Sequence, residues 1–381
     1  MKEGIQMKPM KAAIVGCGDI SRAYIETFQN RLKGVELVAC ANRSEARLRS
    51  TAEKYNLRPM AFEDILNSLE IEMIINLTTP DAHYPLTKQA LLRGKHVYSE
   101  KTLAVTLEQG LELCEIARKQ GVRLGCAPDT FLGGGLQTGR HIIDSGLIGK
   151  PLTFVASVSR DNGLFGQRLP HLNKAGGGIL HDVGCYYLTA LVSLLGPVRQ
   201  LCAFTATNEP ERVNMRMTSP DFGRPYAVDV ENAVAVSMEF ACGVVGVFHL
   251  VSDTIIDETV RLEIYGTEGI LELGDPNQFG SPVTLRRACA APLQFPFTHG
   301  FTNQSRGIGA AEMAWAIRAG RPHRASMEMA CHVLEICSGV LESANSGERY
   351  HMRTTCPVPE ALPAGFIDCG DWGATEESAL V

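Results

Sequence analysis

The sequence lacks the marks of several protein classes. Charge of one sign is not in excess: 36 Lys and Arg face 42 Asp and Glu, a net charge of -6. There is therefore no basic footprint for nucleic acid or an anionic membrane. No unbroken apolar run reaches the length of a membrane-spanning helix. The 12 cysteines include no C-x-x-C pair, and no His/Cys cluster has ligand spacing, so no metal site is expected. The N-terminus runs through charged residues straight into an apolar segment at Ala12–Val15, leaving no room for a signal peptide. Reduced, buried thiols and a cytoplasmic location are the resulting expectations.

What is present describes an ordinary globular protein. The chain has 381 residues, 45% hydrophobic and 20% charged, long enough for two domains. Short apolar runs fall at Ala12–Val15, Val35–Ala41, Ile71–Leu77, Lys95–Tyr98 and Val122–Cys126. Helix-like segments separate them: Ser21–Leu32, Ser44–Tyr55, Phe62–Leu69, Asp81–Leu92 and Leu107–Lys119. Continuous apolar strands alternating with helices predict a doubly wound parallel sheet, with its ligand crevice at the strands' carboxyl ends.

The rhythm changes near residues 126–130. A helix at Leu136–Asp144, a strand at Leu152–Ser159 and a helix over Gly178–Leu195 are followed by alternating runs. These lie at Ala233–Phe240, Val244–Val251, Thr259–Tyr265, Ile270–Leu273 and Val283–Arg287, with late helices at Gly309–Ala319 and Met327–Ser343. This pattern predicts antiparallel hairpins. The expected division is 1–127 (a dinucleotide-binding α/β Rossmann domain), 128–356 (an α+β domain) and 357–381 (an extended, loose tail).

Gly16-x-Gly18-x-x-Ser21, closing one strand and opening a helix, supplies a tight turn and a helix N-terminus for a pyrophosphate, with Asp19 and Ile20 inside it. The second strand ends at Asn42-Arg43-Ser44 without the acid expected for a ribose diol. Arg43 and Ser44 suit a 2′-phosphate, so the reading leans to NADP; alternatively Arg43 is solvated and Asn42 serves the diol of NAD. Thr78, Thr79 and Pro80 follow the third apolar run, with Thr79 placed to cap a helix and Pro80 in its first turn. His83, one turn in, either reaches the cofactor or lies on the surface.

Two further features carry chemistry. Glu100-Lys101 closes a strand at the crevice, where the carboxylate is placed to orient the ammonium. The helix after Gly176-Gly177-Gly178 has an apolar stripe and, opposite it, Asp182 and Tyr186 at i and i+4. Together with Gly16-Cys17-Gly18, Thr79-Pro80-Asp81-Ala82-His83 and Glu100-Lys101-Thr102, this run to Tyr186 resembles the Gfo/Idh/MocA oxidoreductases, the glucose–fructose oxidoreductase and inositol dehydrogenase superfamily.

The resemblance implies a Rossmann domain and a second domain with a large open, mostly antiparallel sheet, through which a dimer or tetramer often forms. It also implies NAD(P)-dependent oxidation or reduction of a sugar, cyclitol or related diol. Three departures stand out: Thr102 replaces the family's proline, Asp81 its asparagine, and Tyr186 stands where a catalytic histidine is common. The expected catalytic set is Lys101, Asp182 and Tyr186, with Lys101 either lowering the phenol's pKa or carrying the proton itself, and Asp182 orienting the substrate hydroxyl and balancing the lysine's charge. His171 and His181 are reserve acid/base candidates, and Asp129, Thr130 and His171 are expected in the substrate pocket with Tyr186. Rival readings are an NAD-dependent glycosidase working by transient oxidation and a non-catalytic dinucleotide sensor.

Overall fold

A computed structural model describes residues 8–161, 166–167, 169–254 and 259–363. The first sheet contains β1 (Met10–Val15), β2 (Val35–Ala41), β3 (Arg58–Pro59), β4 (Met73–Asn76), β5 (His96–Ser99) and β6 (Leu124–Cys126), in the order β3-β2-β1-β4-β5-β6. Every neighbouring pair is parallel. Helices α1 (Ser21–Asn30), α2 (Glu45–Tyr55), α3 (Phe62–Asn67), α4 (Pro80–Leu92) and α5 (Leu107–Gln120) connect the strands. Separate apolar clusters cover the two faces of this sheet, one around Ile14, Cys40 and Ile75, the other around Val15, Ile74 and Val97. Burial on both faces is why these strands read as continuous apolar runs.

After β6 come α6 (Gly134–Asp144), β7 (Pro151–Ser159), a π-helical turn at Leu180–Gly184 and α7 (Cys185–Leu195). Next are β8 (Val198–Ala206), a small hairpin of β9 (Glu211–Val213) and β10 (Pro225–Ala227), β11 (Ala233–Phe240) and β12 (Val245–Val251). β13 (Thr259–Gly266), β14 (Gly269–Leu273), β15 (Val283–Arg287), β16 (Leu293–Phe295), α8 (Ile308–Ala319), α9 (Met327–Ser346) and β17 (Tyr350–His351) complete the described elements. The second sheet has the order β16-β15-β14-β13-β7-β12-β11-β8-β17. Of its neighbouring pairs only β7 with β12 is parallel. One face packs on the helices; the other leaves Leu152, Phe204, Val245 and Val247 exposed.

The helix expected over Gly178–Leu195 is present, with a π turn at Leu180–Gly184 within it and Gly178 at φ +76° at its start. Every residue of α7 is buried. The tail is not loose where it is described: Leu362 is buried and its N–H donates to Gln137 Oε1 at 2.8 Å, while Arg140 donates to the Pro359 carbonyl. The rest of the tail lies outside the described residues. Among the described residues no helix is long and apolar enough to cross a membrane.

Candidate active site

The glycine turn leaves β1 with Gly16 at φ +102°. A Cβ there would lie 2.6 Å from the Leu77 carbonyl oxygen, so both the backbone conformation and the approach to the end of β4 require glycine. A Cβ on Gly18 would meet nothing within 4 Å, which leaves open space above the turn. Ser21 Oγ donates to the Gly18 carbonyl at 2.6 Å, and the first turn of α1 has no side-chain cap. The N-terminal end of the helix and the dipole behind it suit a phosphate. The residues therefore fit a dinucleotide.

Asn42 pins the end of β2 to this turn: its Oδ1 accepts the Cys17 N–H at 3.1 Å and its Nδ2 donates to the Ser44 carbonyl. Ser44 is the N-cap of α2, accepting the Arg47 N–H. Arg43 is exposed beside them. Pro80 opens α4, but Thr79 makes no capping bond; a hydrogen bond with Thr79 is the first cause holding the Asp81 carboxyl below its ordinary value. Thr78 donates its N–H and hydroxyl to Asn76 Oδ1. Asp19 and Ile20 lie in the turn, Asp19 exposed.

His83 is not on the surface. It is buried, its Nδ1 2.7 Å from the Thr102 carbonyl and its Nε2 2.9 Å from that of Thr78. The ring ties the loop after β4 to the loop after β5, and burial lowers its pKa. Glu100 also departs from expectation. Its Oε1 accepts from Tyr24 at 2.7 Å and its Oε2 from the Lys101 N–H at 3.0 Å, so it braces the loop rather than orienting the ammonium.

Asp182 orients the ammonium instead. Lys101 Nζ donates to Asp182 Oδ1 at 2.5 Å and to the Asp182 carbonyl at 2.9 Å. The two side chains are 16% and 19% exposed, so the pair is largely desolvated. Burial opposes charge on Lys101, but Asp182 outweighs it and raises the pKa above 10.5. Burial likewise opposes charge on Asp182, and Lys101 outweighs it, holding the carboxyl below its ordinary value.

Lys101 Nζ lies 5.5 Å from the centroid of the Tyr186 ring. Burial is the largest influence on the phenol and raises its pKa; Lys101 acts to lower it, as expected, and so does Arg306, but the two do not compensate. Arg306 is a residue sequence reasoning missed. Its guanidinium lies 6.0 Å from the Tyr186 ring centroid and is held by Asn277 Oδ1 at 2.6 Å and Gln304 Oε1 at 2.9 Å. It lies in the loop before α8, where no motif or spacing links it to Lys101.

The other candidates separate. His171 is half-buried, with Asp182 and Lys101 both acting on it and burial lowering its pKa. His181 is buried, its pKa lowered to about 4 first by burial and then by the charge of Lys101. Asp129 is buried with its Oδ2 accepting the N–H groups of Gly307 and Gly309 at 2.8 and 3.0 Å. Its primary role is therefore to anchor the start of α8 and the Arg306 loop. Burial pushes its carboxyl up to about 6. Thr130 is buried in the short helical turn that follows. Among the described residues no group of three His, Cys, Asp or Glu could hold a metal ion.

The chain resembles known families and proteins. Residues 10–127 fit the model of the oxidoreductase family with an NAD-binding Rossmann fold, and residues 136–272 fit the Gfo/Idh/MocA C-terminal domain. D-xylose dehydrogenase of Paenarthrobacter nicotinovorans is 25% identical over 355 residues, 84% of this chain and 86% of that protein. D-glucoside 3-dehydrogenase of Escherichia coli is 27% identical over 251 residues, 64% of this chain and 70% of that protein. Levoglucosan dehydrogenase in complex with NADH and L-sorbose superposes with a TM-score of 0.78 at 19% identity, covering 91% of this chain and 99% of that one. That likeness establishes the shared fold.

Proposed function

Because the chain belongs to the Gfo/Idh/MocA family of oxidoreductases, we propose that it transfers a hydride between NAD(P) and a secondary alcohol or ketone of a sugar, cyclitol or related diol. The chain is an NAD(P)-dependent oxidoreductase acting on CH–OH groups. The observation that carries the narrower reading is the desolvated Lys101–Asp182 pair at the crevice end of β5, beside Tyr186 and Arg306.

Gly16, Gly18 and the first turn of α1 hold the pyrophosphate, and Asn42, Arg43 and Ser44 border the adenosine ribose; Thr78, Thr79 and Pro80 line the crevice. The exposed guanidinium of Arg43, with Asn42 rather than an acid closing β2, supports a preference for NADP, although Asp81 also feels its charge. When bound, the nicotinamide supplies the hydride acceptor or donor. Lys101 donates a hydrogen bond to the substrate oxygen. In carbonyl reduction it delivers the proton to the nascent alcohol; in oxidation its neutral form takes the hydroxyl proton. Asp182 fixes the ammonium. Tyr186, kept neutral, donates a second hydrogen bond, and Arg306 offsets negative charge growing on that oxygen. His171 and Thr130 border the substrate, while Asp129 acts through the Arg306 loop.

The exposed apolar side chains on the open face of the second sheet support a homo-oligomer through that face. The free cysteines among the described residues fit a reducing, cytoplasmic compartment. The domain junction falls after residue 127. The test is a panel of sugars, cyclitols and diols incubated with NAD and with NADP and followed by nicotinamide absorbance. A net absorbance change with at least one polyol is expected; sugar release without such a change would refute the reading.

A further inference from the structure

Arg306 stands beside the rings of Tyr186 and Phe279, its guanidinium carbon 6.0 and 5.9 Å from their centroids. The loop that carries it is braced. Asp129 holds the N–H groups of Gly307 and Gly309, and Arg31 Nη1 donates to the Gln304 carbonyl at 2.7 Å. The guanidinium itself is held by Asn277, whose Oδ1 and carbonyl accept from Nη2 at 2.6 and 3.3 Å, and by Gln304 Oε1, which accepts from Nη1 at 2.9 Å. The group is therefore fixed before any ligand arrives, the condition for preorganised recognition.

What holds it is neutral. Among the described residues Arg306 makes no ion pair with a carboxylate. Arg140, Arg212, Arg321 and Arg324, whose side chains are 19% exposed or less, each pair with one. Arg123 does not, but it precedes β6 at the sheet end away from the crevice and donates to the Arg321 carbonyl. Glu100 and Asp129 act on Arg306 through space, yet both bond elsewhere: Glu100 to Tyr24 and the Lys101 N–H, Asp129 to the two glycine N–H groups. Asn277 and Gln304 do not exhaust the donors of a guanidinium, and Tyr186 is close enough to take one. Lys101 differs, because Asp182 already matches its charge. The crevice thus holds one cation with an ion-pair partner and one without.

A desolvated guanidinium recognises a carboxylate through charge-assisted hydrogen bonds. We propose that, on the hydride-transfer reading above, the substrate is a sugar acid: an aldonate or uronate whose carboxylate binds Arg306 while its reacting hydroxyl or carbonyl meets Lys101 and Tyr186. Lys101 Nζ and the Arg306 guanidinium lie 5.5 and 6.0 Å from the Tyr186 ring centroid, so one small molecule spans them. In oxidation the C–H bond gives its hydride to NAD(P)+ and the hydroxyl gives its proton to neutral Lys101, leaving a keto acid and NAD(P)H. The carboxylate is a handle and stays unchanged. From its place beside Tyr186 the guanidinium still opposes charge growing on the reacting oxygen.

The test is calorimetric titration of the full-length protein, saturated with NADPH or NADH, using pairs that differ in the carboxylate. These are D-gluconate with D-glucitol, D-glucuronate with D-glucose, and D-galacturonate with D-galactose. In at least one pair the acid should bind at least ~10-fold more tightly, the scale of one charge-assisted hydrogen bond. Arg306→Gln should remove that difference. Asn277→Asp barely changes shape but sets a carboxylate on the guanidinium, so it should remove the difference too, and it decides the matter if Arg306→Gln does not fold. Equal binding within every pair, or no binding, overturns the proposal, as does an acid preference that survives the variants. Weaker cofactor binding in the variants with the acid preference intact overturns it by assigning Arg306 to the dinucleotide. Turnover is read separately by nicotinamide absorbance. An acid bound through Arg306 but never turned over refutes the hydride-transfer reading; turnover of neutral sugars with equal binding within the pairs refutes the sugar-acid assignment alone.

Discussion

Asp182→Asn tests the logic of the buried pair. Asparagine keeps the shape and one oxygen, and the Lys101 contact to the residue 182 carbonyl at 2.9 Å is unaffected by the side chain. What disappears is the negative charge opposing the desolvation of Lys101. Removing one partner of a buried ion pair costs roughly 3–5 kcal/mol; the retained oxygen argues for the lower end, about 3 kcal/mol. At 1.36 kcal/mol per pH unit this is a drop of about two units in the lysine's titration midpoint. The midpoint, now above 10.5, should fall by about that amount, because the charge of Asp182 no longer opposes burial. The assay is a 13C NMR titration of lysine Cε resonances, with Lys101→Met identifying the signal. The stability loss has a defined pH window. Lys101, titrating higher when folded, contributes fully below about pH 10 and loses its contribution as pH rises through the folded value. Asp182, titrating lower when folded, contributes above about pH 4 and loses its contribution as pH falls. The destabilisation should therefore be flat between roughly pH 5 and 10 and shrink at both ends. An unmoved lysine midpoint would refute the reasoning.

Other outcomes follow from the same geometry. Gly16→Ala should lose at least about 2 kcal/mol of stability from positive φ and overlap with the Leu77 carbonyl, read as a lower Tm. Gly18→Ala, with open space at its Cβ, should keep its Tm but bind dinucleotide at least ~10-fold more weakly. Arg43→Glu should lower the ratio of NADP to NAD affinity at least ~10-fold by removing a charge-assisted bond; fluorescence titration with both reduced cofactors reads it. Since Lys101 and Tyr186 both titrate above their ordinary values, kcat/KM for alcohol oxidation should rise with pH across the neutral and mildly alkaline range, approaching tenfold per unit. A profile that peaks near pH 7 would point to a histidine instead.

The first sheet was legible because burial on both faces and short crossovers leave continuous apolar runs; β2 spans Val35–Ala41 as its pattern predicts. β8 was not, because Arg199 and Gln200 open it and Cys202 lies on its outward face, so it reads as loop. At the site, sequence spacing brought out Lys101, Asp182 and Tyr186, each adjacent to a recognisable turn. It could not show which carboxylate meets the ammonium. Glu100 is next in the chain but turns toward Tyr24, while Asp182 arrives from 81 residues away. Arg306 and the buried position of His83 come from tertiary packing alone, as does the sign of the Tyr186 shift. Local spacing favoured the nearby ammonium, whereas complete burial of the ring decides the direction.

The most direct measurement is the turnover of Lys101→Met on whichever polyol the wild-type protein oxidises or whose ketone it reduces. Methionine preserves the apolar stem without the charge. The account predicts that the variant retains dinucleotide binding while kcat falls at least ~100-fold, the usual scale of a lost proton-transfer group. A variant that turns over at the wild-type rate would contradict it.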